Sequence, residues 1–162
     1  MRSTGESTNG LFGLIEQWEM PPGFASPYHM HHLEDEAFYV LEGEMAFVCD
    51  GKWMKSGPGT YVFGPGEIPH GFKVVGSSPA RMLLLCAPAG FERFVLELSV
   101  PFDDFTPPDM AKLMAVRRNT KSTFSDRCRN RLARQESHPV IDAVGPPNSV
   151  RMVACKWEVE IC

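Results

Sequence analysis

Three of the five histidines stand in HMHHLEDE, residues 29–36, and three acidic residues follow within the same stretch. In a β-strand, residues two apart share a face, so His29 and His31 present two imidazoles side by side while Met30 points away. Glu36 lies five places after His31, an odd offset that would put it on the opposite face of one continuous strand. A turn through HLED must therefore intervene, letting Glu36 open the next strand, EAFYVL, and return beside the histidines. That strand carries Phe38 and Val40 on the side of Glu36, an apolar wall. His70, in GPGEIPHGF, opens another strand bounded by Gly and Pro, where its backbone could be pinned against the first pair. His32 points opposite to His31 and is read as a surface or supporting residue; Glu34 and Asp35 are read as turn residues.

Three neutral imidazoles and one carboxylate suit a divalent transition ion: Fe, Mn, Ni, Co, Cu or Zn. Calcium and magnesium prefer shells of oxygen. Four protein ligands on an octahedral ion leave two positions open for substrate and for dioxygen or water, whereas a structural site would close. The ligands do not choose among these metals.

Such a site needs strands to hold it. The chain has 162 residues, with 43% apolar and 22% charged, the balance of one soluble domain. Its 14 Gly and 14 Pro punctuate short apolar runs, as turns between strands would. GLIEQWEM, EAFYVLEGEMAFVCDGKWMK, GTYVFGPGEIPHGFKVV, ARMLLLCAP and FERFVLEL each read as strand-forming, so residues 11–100 are expected to be all β after a disordered lead-in, residues 1–10. Asp50-Gly51 is the strongest hairpin signal, because a type I′ turn needs positive φ at both central positions. The five cysteines lack any C-x-x-C pair, which argues against a disulfide framework or a thiolate zinc site, and Cys49 and Cys86 read as small buried residues.

Beyond Pro101 the text changes. TPPDMAKLMAVRR has an N-cap at Thr106 and helical spacing of Met110, Leu113 and Met114, which predicts a short amphipathic helix within a tail, residues 101–138. Residues 117–138 carry seven basic and two acidic side chains, while residues 1–102 carry six and twelve. No nucleic-acid-binding motif or interleaved aromatic accompanies the basic run, so it reads as a solvated or partner-contacting segment. Residues 139–162 end in VACKWEVEIC, whose alternation predicts a half-buried strand of unassigned partner. No run is long enough to span a bilayer and no signal peptide is evident, so the expectation is a cytoplasmic protein.

Gly23, His29, His31, Glu36 and Gly43 fit G-x5-H-x-H-x4-E-x6-G without insertion, which resembles the first motif of the cupin superfamily. Gly59, Pro65 and His70 are similar to its second motif, with two departures: Gly66 stands one place early, leaving Glu67 where glycine is expected, and Val74 replaces an asparagine. The resemblance implies an antiparallel jelly-roll barrel, with a metal held inside by His29, His31, Glu36 and His70, usually paired as a homodimer. Within the superfamily the chain looks most similar to the quercetin 2,3-dioxygenase-like group. That likeness implies a dioxygenase acting on a small enolic or aromatic substrate, with Glu36 accepting a proton and Phe38, Val40, Phe72 and Val74 lining the pocket. A metal-assisted cyclase or isomerase that uses no oxygen would need the same ligands, and a non-catalytic metal- or ligand-binding module is the reading from another class.

Overall fold

A computed structural model of the chain describes residues 1–98 together with the backbone of three short strand segments at 122–123, 141–142 and 151–154. Eight strands come first: β1 (Gly13–Met20), β2 (Met30–His31), β3 (Asp35–Glu42), β4 (Met45–Cys49), β5 (Lys52–Ser56), β6 (Thr60–Gly64), β7 (His70–Val74) and β8 (Ala80–Ala87). A helix, α1 (Phe91–Leu98), follows, and then β9 (Ser122–Thr123), β10 (Ile141–Asp142) and β11 (Arg151–Ala154). One sheet has the order β1-β8-β3-β6-β11, the other β10-β5-β4-β7, and β2 pairs with β9. Pairing within β1 to β8 is antiparallel, as a jelly roll requires. The jelly roll is the expected one; among the described residues its two sheets do not close into a barrel, and β10 and β11 pair in parallel with β5 and β6.

Alternation along the strands builds the core. In β8, Ala80, Met82, Leu84 and Cys86 are buried while the residues between them are half-exposed; β3 does the same with Glu36, Phe38 and Val40. Phe47, Phe72 and Val74 come from the facing sheet, so the interior is a sandwich of both inner faces. The β4–β5 turn has positive φ at Asp50 (46°) and Gly51 (76°), as the Asp-Gly pair predicts. Gly43 turns β3 into β4 at φ 80°, and a Cβ there would lie 2.7 Å from the Ala80 backbone, so only glycine fits.

Three expectations are corrected. FERFVLEL is not a strand: Phe91, Phe94 and Val95 recur at i, i+3 and i+4, and a helix turns all three onto the core. Residues 1–10 are not a loose lead-in. Ser3 bridges Leu14, the Gly5 N–H donates to Glu92 at 2.8 Å, and the Ala89 N–H donates to the Gly10 carbonyl at 3.0 Å. Cys49 and Cys86 are both buried as read and Cys86 is a free thiol, but against the expectation of no disulfides Cys49 is disulfide-bonded, with its partner outside the described residues. The helix read at 106–118 also lies outside them, as does most of the basic run. Of the C-terminal alternation, only Val153 and Ala154 are described, at the end of β11, and β6 is the partner of that strand.

Candidate metal centre

His29 sits just before β2 and pairs with His70, the first residue of β7, through an isolated antiparallel bridge. The His29 N–H donates to the His70 carbonyl at 2.9 Å, and the return bond is 2.8 Å. His31 is in β2 on the same face as His29, and Glu36 is the second residue of β3, after the turn. The four side chains are all buried, and their ligand atoms lie within 4.8 Å of one another. His29 Nε2 is 2.9 Å from His31 Nε2; Glu36 Oε2 is 2.9 Å from His70 Nε2; Glu36 Oε1 is 3.2 Å from His31 Nε2.

The turn that aims His70 is built on Glu67. Its φ is 63°, the left-handed conformation for which a glycine is expected at that place, and its N–H donates to the His31 carbonyl at 2.7 Å. The motif's glycine is missing, yet the turn forms. The Glu67 carboxylate also meets His32 Nδ1 at 2.8 Å on the surface.

Proton placement follows from the backbone. Nδ1 of His29 lies 2.8 Å from the Pro27 carbonyl, and Nδ1 of His70 lies 2.8 Å from that of Ile68, so each Nδ1–H donates outward. In the neutral His29 ring that leaves the Nε2 lone pair pointing into the cluster, whereas Nε2 of His70 donates to Glu36 Oε2 at 2.9 Å. Burial drives the His29 imidazole down to about 3, against the pull of Glu36, so this ring is neutral at ordinary pH. Burial pushes the Glu36 carboxyl up, but hydrogen bonds from His31 and His70 outweigh it and hold the group well below its usual range. For His70, burial lowers and the Glu36 contact raises, and the net shift is upward. Three imidazoles and one carboxylate converge in this buried space. The donor set fits a transition ion held by His29, His31, Glu36 and His70.

Residues 16–86 match the Cupin domain family. Residues 16–86 are thus a cupin domain. The chain is 30% identical over 98 residues to quercetin 2,3-dioxygenase of Bacillus subtilis, covering 60% of this chain and 28% of that one. An uncharacterized protein of Methanocaldococcus jannaschii is 26% identical over 69 residues, covering 43% of this chain and 55% of its own length. The chain thus spans 28% and 55% of the length of these relatives. Among solved structures, an RmlC-like cupin from Shewanella frigidimarina is 21% identical with a TM-score of 0.47, covering 52% of this chain and 72% of that one.

The residues read as pocket wall are placed at the interior. Phe38 is edge-on to His70 with ring centroids 6.2 Å apart, and to Phe72 at 6.0 Å; Val40 and Val74 are buried deeper in the same core. Three neighbours of the site escape a motif-based reading. Phe91 of α1 stacks on His29, with centroids 6.3 Å and planes 15° apart, and meets His31 edge-on at 4.6 Å. The Cys86 thiol donates to Glu36 Oε1 at 3.6 Å, and burial keeps it protonated. Glu34, read as a turn residue, is buried and lies 3.8 Å from His31 Nδ1. The helical spacing of Phe91, Phe94 and Val95 is the one signal in the sequence that could have found the first.

Proposed function

We propose that this protein is a metal-dependent dioxygenase that acts on a small, flat enolic or aromatic substrate, with His29, His31, Glu36 and His70 holding a divalent transition ion. The observation that carries the metal is the convergence of those four buried donors within 4.8 Å. The likeness to quercetin 2,3-dioxygenase supports the oxygenase part. When bound, the ion supplies positive charge that stabilises a deprotonated substrate oxygen and a position for oxygen to react.

The chain's own groups do the rest. Glu36 stays ionised, so it can take the proton of an enolic hydroxyl brought beside it. The Nδ1–H bonds to Pro27 and Ile68 fix the orientation of two imidazoles before anything binds. Phe38 and Phe72 offer flat apolar faces to an aromatic ring, Val40 and Val74 back them, and Phe91 shields His29 and His31 from water.

The test is oxygen uptake by protein loaded in turn with Fe, Mn, Ni, Co, Cu or Zn, using quercetin as the flat polyphenol probe. The proposal expects oxygen consumption in step with loss of quercetin for at least one ion, abolished in Glu36→Ala. Turnover that proceeds unchanged without oxygen would move the site to cyclase or isomerase chemistry. Tight binding of the probe with no product would make the protein a binding module.

A further inference from the structure

Glu34 lies in the turn between β2 and β3, where its neighbours His32, Leu33 and Asp35 are exposed. Glu34 itself is only 7% exposed, and its Oε2 has no hydrogen-bond partner. A buried carboxylate oxygen with no donor is costly to keep, because it gives up water and receives nothing in return. What faces it is the His31 ring, fully buried, with Nδ1 3.8 Å from that oxygen. On the other side of the same ring, Nε2 lies 3.2 Å from Glu36 Oε1. His31 is thus sandwiched between two carboxylates, while His29 and His70 set their Nδ1 atoms on the neutral carbonyls of Pro27 and Ile68.

Charge gives the arrangement its meaning. A divalent ion held by three neutral imidazoles and Glu36 leaves one positive charge in a buried space. The geometry points to Glu34 as the group that balances it: a residue that supplies the countercharge of the metal centre from across the His31 ring. This inference rests on the reading of the four-residue cluster as a metal centre. The lone buried carboxylate is then a cost of the metal-free protein, relieved when the ion arrives.

Glu34→Gln should weaken metal binding yet leave the metal-free protein at least as stable. Titration with Co(II), followed by its visible absorption, compares the wild type with Glu34→Gln, which keeps the shape and removes the charge, with Glu34→Asp, and with His31→Ala. The expected order of affinity is wild type, then Asp, then Gln, with Gln about 10- to 100-fold weaker than wild type and its absorption spectrum shifted. Metal-free Glu34→Gln should unfold at a temperature equal to or above that of the metal-free wild type. The inference is overturned if Glu34→Gln binds Co(II) within threefold of wild type. It is overturned equally if the weaker binding comes with a lower metal-free unfolding temperature, which would make Glu34 a structural turn residue. A wild type that takes up no Co(II) would instead sink the metal-centre reading itself, a result distinct from failure of the Glu34 variants alone.

Discussion

His29 and His70 exchange both of their backbone hydrogen bonds, at 2.9 and 2.8 Å, so two strands carry their imidazoles into the site as one rigid pair. The pairing is tight at the next residue: a Cβ on Gly71 would lie 3.2 Å from the Pro27 carbonyl and 3.2 Å from Ser26 Oγ. Gly71→Val should therefore push residues 26–29 off β7 and part the two histidines. The expected result is a loss of about 2 kcal/mol in stability by urea unfolding, with metal affinity weakened about tenfold or more. Unchanged affinity would mean that the bridge does not set the site.

Phe91 joins the helix to the metal centre. It is 8% exposed and packs on His29, His31 and Phe94. Phe91→Ala should cost about 3 kcal/mol in denaturant unfolding, and Phe91→Leu less than half of that. An equal, small cost for both would show that α1 is not docked as described.

Acidification should loosen the amino-terminal segment through Glu92. This carboxylate is buried and accepts N–H bonds from Gly5 at 2.8 Å and Gly90 at 2.6 Å. Burial pushes its carboxyl up, but those donors win and hold it below its ordinary 4.5. A depressed folded value means that the stabilisation is complete above the unfolded value and is lost as pH falls through the folded one. Urea midpoints measured from pH 7 down to about 3 should fall for the wild type below pH 4.5, and less steeply for Glu92→Gln, which at pH 7 should already be about 2 kcal/mol weaker. Parallel curves for the two proteins would contradict the assignment.

Glu67 holds a left-handed backbone that glycine would adopt freely. Relieving it should gain about 1 kcal/mol, against which stands the exposed ion pair with His32, worth between nothing and about 1 kcal/mol. Glu67→Gly should thus be neutral to slightly stabilising by thermal unfolding. A clear loss would show that the side chain matters more than its conformation.

How much of this was legible varied with how local each cause is. The histidine spacing and the Asp50-Gly51 turn were readable because strand alternation and turn φ are encoded within a few residues. The turn before His70 was readable in place, though its glycine is a glutamate, since a hydrogen bond to His31 supports the strained residue. By contrast, FERFVLEL mixes β-favouring Phe and Val with helix-favouring Glu, Arg and Leu, and the helical spacing of Phe91, Phe94 and Val95 decides only once they pack against the core. Residues 1–10 are polar and looked unanchored because their anchor, Glu92, stands more than eighty residues away. Glu34 has the composition of a turn residue; its burial depends on the fold around it.

Metal content is the most direct measurement. Protein purified without added metal, and the same protein with His31→Ala, are analysed for bound transition ions per chain. The account predicts about one ion per chain in the wild type and almost none in the variant. Equal metal in both proteins, or none in a wild type offered each ion at micromolar concentration, would contradict it.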